Sequence, residues 1–143
     1  MFLNLLNLIT LILSYDIWFY ISHLILHIKK IYFIHKVHHS IKYDNLKYFN
    51  AYTGHNFEKL FQGIGILFPY VYISFNIYSF IIASILINAR GMMRHDNRFA
   101  WLIGNHHLLH HQYFNYNFGE YWLDYLFGTL YPNKDEYVKS IFI

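Results

Sequence analysis

Eleven of the 143 residues are His, and six of them stand in two copies of one pattern, His-x-x-His-His: His35, His38, His39 and His107, His110, His111. At this His frequency one such triplet is expected by chance about 0.06 times, so a pair of them is not an accident. On a helix the spacing i, i+3, i+4 points three imidazoles into one hemisphere. Six ordinary core histidines would need six separate hydrogen-bond partners in a short chain, so the chemistry this pattern predicts is metal ligation. A further i, i+4 pair, His23 and His27, shares a helical stripe with Asp16 and Tyr20, all within about 40° at 100° per residue. An aspartate this deep in an apolar segment is costly unless it has a task, such as fixing a ligand's tautomer. Two looser sets, His55-Asn-Phe-Glu58 and His95-Asp-Asn97, read equally as ligands, as supports of ligands or as interfacial caps.

The chain has no Cys, which excludes disulfides, thiolate zinc sites and iron–sulfur clusters. A structural zinc site uses four ligands and a catalytic one typically three, so eight or more imidazoles fit two metals better than one. The sequence holds no Glu-x-x-His, the motif of carboxylate-bridged di-iron bundles, and no His-Glu-x-x-His, the motif of metalloproteases. A mononuclear two-His-one-carboxylate iron site through His95 and Asp96 stays formally open, but adjacent helical residues diverge by 100° and so disfavour it. A histidine-rich di-iron centre survives.

The elements that must position these residues are apolar. Hydrophobic residues make up 56% and charged residues 13%, against roughly 25% charged in soluble domains, so the surface is not that of a soluble enzyme. Every Lys and Arg lies outside two tracts, Phe2 to Ile28 and Leu60 to Ala89. The first, with no basic leader and no small-residue cleavage site, reads as an uncleaved anchor helix over about 2–28. The second reads as either one tilted span or a hairpin. Basic residues both precede it (Lys29 to Lys59) and follow it (Arg90, Arg94, Arg98), and the positive-inside bias selects the hairpin, with both feet and the histidines on the cytoplasmic side. That bias also accounts for the net charge of +3, since no basic run alternates with stacking aromatics as in a nucleic-acid binder. The expected fold class is all-α: an integral membrane helical bundle carrying a cytoplasmic-facing, histidine-rich di-metal site, in one domain over 1–143. Trp18, Phe19, Tyr70 and Tyr72 are candidates for a lipid channel or, more plainly, for membrane-facing aromatics.

Taken together, the Asp16-x-x-Phe-Tyr20-x-x-His23-x-x-x-His27 stripe, the two triplets, Asn115-Tyr-Asn117-Phe-Gly119 and Trp122-x-Asp124-x-x-Phe127-Gly128-Thr129 resemble the fatty acid hydroxylase / sterol desaturase superfamily. The resemblance runs from about Tyr15 to Leu130. It departs from the family at Leu24, where Arg is frequent, at Asn56, where Pro is frequent, and at Phe118, which replaces the Tyr of Asn-Tyr-Gly. It implies a multi-pass membrane enzyme, of the endoplasmic reticulum if eukaryotic, that uses two iron ions and O₂ to hydroxylate or desaturate a fatty acyl or sterol lipid from the bilayer. Zinc would replace iron on overexpression. Electrons would come from a separate donor, cytochrome b5 or a ferredoxin-type reductase. The metal ligands implied are His23, His27, His35, His38, His39, His107, His110 and His111, with His95 and His55 added. Asp16 and Asp124 would orient ligands, with Tyr20 beside them in the catalytic set. The alternative is a non-catalytic metal-binding membrane protein or a truncated, inactive homologue.

Overall fold

The computed structural model describes residues 4–141; the first residues of the predicted anchor, Phe2 and Leu3, lie outside them. Asn4 starts the first helix by accepting a hydrogen bond from the Asn7 amide (3.2 Å), which satisfies one of the donors a helix start leaves open. Helix α1 then runs over Leu5–Leu26, 22 residues or about 33 Å, and among the described residues it is the one helix long and apolar enough to cross a membrane. Ile9, Leu13, Ile17 and Ile21 repeat every fourth residue and are exposed, forming an apolar outer stripe. The opposite face, with Leu8, Leu11, Asp16, Tyr20 and His23, is buried.

The second apolar tract folds back on itself, as the charge pattern predicts. Its first arm is helix α3 (Asn56–Gly63) continued by a 3-10 stretch over Ile64–Val71, and its second arm is α4 (Ile77–Arg94). Pro69 lies inside the 3-10 stretch, where α-helical bonding would fail, and Asn76 restarts the chain by capping Ser79 (2.9 Å). The loosened backbone of the first arm is satisfied from α1: Ser14 donates to the Gly65 carbonyl (2.8 Å) and Trp18 Nε1 to that of Phe61 (2.6 Å). A Cβ on Gly65 would stand 2.6 Å from Trp18 Cβ, so only glycine allows this approach. At the turn, Asn7 donates to the Ser74 carbonyl (3.0 Å). Hence α1 and α4 run the same way, the first arm runs opposite, and both hairpin feet lie at the C-terminal end of α1.

The remaining chain collects at that end: α2 (Tyr32–His35), short 3-10 turns over His38–Ser40, Tyr43–Asn45 and Tyr48–Tyr52, then α5 (Ala100–Ile103), α6 (His106–Tyr113) and α7 (Tyr121–Phe127). Among the described residues there is no strand, so the fold is all-helical. Two small apolar clusters hold it, Leu8, Leu11 and Ala83 deep in the helical layer and Tyr20, Phe118 and Leu123 beneath the histidines.

Candidate metal centre

Nine imidazoles converge at the end of α1 in two groups. His23, His27, His35, His39 and His110 form the first, and His38, His95, His107 and His111 the second; within each, one ring nitrogen per residue lies within 4.8 Å of all the others. Three i, i+4 pairs build them: His23 and His27 at the end of α1, His107 and His111 on α6, and His35 and His39 across the short turns. The triplets do not act as units. The first is not one helix, since α2 stops at His35 and a 3-10 turn begins at His38, and in each triplet the middle member crosses to the other group. His38 joins the pair from α6, and His110 joins the pair His35 and His39. His95, which caps the end of α4, completes the second group.

The outward-facing nitrogens determine what the inward-facing ones can do. Nδ1 of His38 lies 2.8 Å from the Thr53 carbonyl, Nδ1 of His95 2.7 Å from that of Gly91, and Nδ1 of His110 2.6 Å from that of Tyr116. Nδ1 of His23 meets the Phe118 carbonyl at 2.5 Å. A carbonyl only accepts, so each Nδ1 carries the proton and each Nε2 of the neutral ring presents a lone pair. Yet Nε2 of His38 and Nε2 of His95 stand 3.1 Å apart, two lone pairs facing each other. A second proton on either ring would relieve this, but burial holds His38 down at about 4 and His95 at about 3, and lowers His39, His107, His110 and His111 as well. What such a site accepts is a cation. The spacing agrees: ligands at right angles on a metal–nitrogen bond of about 2.1 Å lie about 3.0 Å apart, tetrahedral ones about 3.4 Å. The Nε2 separations are 2.8 Å for His23 and His35, 2.9 Å for His35 and His39, and 3.1 Å for His39 and His110 and for His95 and His107. Nε2 of His27 is buried with no hydrogen-bond partner, again as expected of a ligand.

A profile of the fatty acid hydroxylase family matches residues 8–129. The chain belongs to this family. Comparison with curated proteins and with solved structures gave no match. Fatty acid hydroxylases are membrane-associated and typically metal-dependent, which fits both the apolar α1 and the two imidazole groups at its end.

Other residues picked out in the sequence lie outside both groups. His55 is exposed and serves as the N-cap of α3, accepting from the Phe57 amide (3.1 Å), so a histidine predicted as a ligand is a helix cap. Asp16 is buried but touches neither His23 nor His27; it pairs bidentately with Arg90, whose neighbour Arg94 pairs with Glu120. Tyr20 packs on Phe127 and shares a hydrogen bond with Thr129 (3.1 Å). Asp124, fully buried, receives four bonds: the amides of Phe118 and Gly119 (2.8 Å each), the Thr129 hydroxyl (2.5 Å) and Nε2 of His106 (2.9 Å). Its effect on His23 is therefore indirect, through the loop whose Phe118 carbonyl that ring faces. Asp96 binds Arg98 and the Tyr48 amide and so ties the foot of α4 to the turn beside it. Of the four aromatics considered for a channel, Phe19 lines a cavity; Trp18 packs on Phe61 and Phe68, Tyr70 on Phe75 and Phe80, and Tyr72 is exposed.

Glu58 is the functional residue sequence reasoning weighed without selecting. It is buried and holds Nδ1 of His35 at 2.8 Å, the carboxylate–histidine pairing that orients a metal ligand. The signal was its place at the hairpin foot beside the histidines, in a chain with few acidic residues.

Proposed function

We propose that this fatty acid hydroxylase is a multi-pass membrane oxidoreductase that binds two iron ions and, with O₂ and electrons from a separate donor such as cytochrome b5 or a ferredoxin-type reductase, hydroxylates or desaturates a C–H bond of an acyl or sterol lipid. The observation that carries the reading is the opposed pair of Nε2 lone pairs on His38 and His95, 3.1 Å apart with both Nδ1 atoms committed to carbonyls. Nine imidazoles in two groups, one of five and one of four, support two ions rather than one. Bound iron would supply O₂ reduction and the cleavage of an unactivated C–H bond, chemistry that no side chain here performs alone.

The protein's own part is orientation and exclusion. Backbone carbonyls of Thr53, Gly91, Tyr116 and Phe118 fix four imidazoles in one tautomer, and Glu58 fixes His35. Burial of eight of the nine rings keeps water from competing for the ions. The basic residues at both feet of the hairpin support a cytoplasmic position for both imidazole groups.

Two measurements test this. Freshly purified, chelator-free protein should hold two metal ions per chain, and one or fewer would refute the di-metal site. Lipidomics of a host expressing the chain with a reductase partner should show a lipid gaining one oxygen or losing two hydrogens. No such change from a metal-loaded protein would leave the non-catalytic reading standing instead.

A further inference from the structure

Helix α6 serves both imidazole groups, with His107 and His111 in one and His110 in the other. Its tilt therefore sets the geometry of both at once. With eight residues it is too short to hold itself, since most of its backbone groups belong to its ends and so short a helix does not form alone. Neither end is secured in the usual way. Asn105 sits at the N-cap, where an asparagine side chain ordinarily accepts from the first amides of the helix, yet it makes no such bond. At the other end Phe114 has a φ of +56°, a conformation that a residue other than glycine holds only with support from its surroundings.

That support comes from residues 131–141, which follow the stretch matched by the family profile. A 3-10 turn over Lys134–Glu136 lets this segment reach both ends of α6. Asn105 turns its side chain to it: Nδ2 donates to the Glu136 carbonyl (2.8 Å) and Oδ1 accepts from the Val138 amide (2.9 Å). At the far end of the helix the Tyr113 ring stacks on Tyr131 with centroids 4.0 Å apart, and its hydroxyl donates to Glu136 Oε2 (2.6 Å) while Tyr131 donates to Oε1 (2.9 Å). Asn117, in the loop after α6, accepts from the Tyr131 amide (2.8 Å) and the Tyr137 hydroxyl (2.9 Å) and donates to the His106 carbonyl (3.0 Å). Glu136 thus holds the start of α6 with its carbonyl and the end with its carboxylate. We propose that residues 131–141 form a clasp that aligns α6 and its three ligand imidazoles, with Glu136 and Tyr113 as positioning residues. This rests on the reading of the imidazole groups as metal sites and names what aligns them. A segment that merely covered α6 would not draw the N-cap side chain away from its own helix.

The test uses the full chain, chelator-stripped and titrated with Co(II), whose visible spectrum reports coordination geometry, with backbone hydrogen exchange measured on the metal-free protein. Glu136→Ala and Tyr113→Phe should each weaken binding of both Co(II) equivalents about 10–100-fold, the range for residues that orient ligands. Each should also shift the spectrum at saturating Co(II) and speed exchange in α6 before any metal is added. Glu136→Gln, which keeps one acceptor oxygen, should recover part of the affinity. Lys134→Ala, an exposed residue of the same turn, should change none of these. If Glu136→Ala fails to fold, Tyr113→Phe carries the same test, because it keeps the ring stack and removes one hydroxyl. Variants that lower Tm yet bind Co(II) with unchanged affinity and spectrum would overturn the proposal, since the segment would then stabilise the fold without aligning ligands. Unchanged exchange in α6 would overturn it as well. An unmodified chain that binds two Co(II) alongside variants that match it defeats the clasp alone, whereas an unmodified chain that binds none defeats the metal-site reading.

Discussion

The adjacent residues His106 and His107 show how finely this centre discriminates. His107 faces His95 and His111 in the second metal group, while His106 turns away and gives its Nε2 to Asp124 at 2.9 Å. Removing a ligand opens a coordination position, whereas removing a supporting residue costs about 10–100-fold in metal affinity. His107→Ala is therefore expected to lose metal and product together, and His106→Ala to keep most of its metal, both measured by elemental analysis and product formation. Metal loss confined to His106→Ala would reverse the register of α6. Asp124→Asn makes a complementary case. An amide replaces an acceptor-only group where four donors converge, so the loop carrying the Phe118 carbonyl should loosen, and metal affinity should fall without removal of any ligand. A chelator competition that finds unchanged affinity would show that His23 does not depend on this carboxylate.

At the scale of elements, the charge pattern located the hairpin and the helical period located the histidines, yet neither revealed how the triplets divide. Both imidazole groups draw on both triplets because α2 ends at His35, a 3-10 turn begins at His38, and α6 brings His110 against His39, an arrangement set by tertiary packing that no local period encodes. The partner of Asp16 was hidden for a similar reason. Arg90 lies 74 residues away in sequence, and only the parallel course of α1 and α4 joins them. His55 misled because its spacing to Glu58 looks like a ligand motif, while the sequence signal for a cap, a polar residue ahead of Asn-Phe-Glu, is equally present. The shared end of the hairpin gives this scale its prediction. His38 and His95 stand 3.1 Å apart although the 60–89 tract separates them in sequence. Single Cys residues replacing Lys47 and Arg98 should therefore react with an impermeant thiol reagent from the same side of the membrane. Labelling from opposite sides would be incompatible with a shared centre.

For the whole molecule, the cost of bringing so many imidazoles together should surface as a dependence on pH and metal. In the unfolded chain each imidazole titrates near 6.5. In the folded, metal-free protein burial lowers His35 and His38 to about 4 and His95 to about 3. Above pH 6.5 both states are neutral at these rings and stability does not change with pH on their account. As pH falls from 6.5 toward 4, the unfolded chain takes up protons that the folded one refuses, and each such histidine lowers stability by up to about 1.4 kcal/mol per pH unit. The loss levels off only once the folded state protonates as well. Metal opposes this, because an ion bound to the folded state alone adds stability through mass action and replaces facing lone pairs with bonds. In a detergent-solubilised thermal series, Tm of the chelator-stripped protein should fall steeply between pH 7 and 5, whereas restoring two equivalents of metal at pH 7 should raise it by several degrees. A metal-free Tm that stays flat from pH 7 to 5 would mean that these rings are neither buried nor neutral in the folded protein, and the facing pair of His38 and His95 would no longer argue for an ion between them.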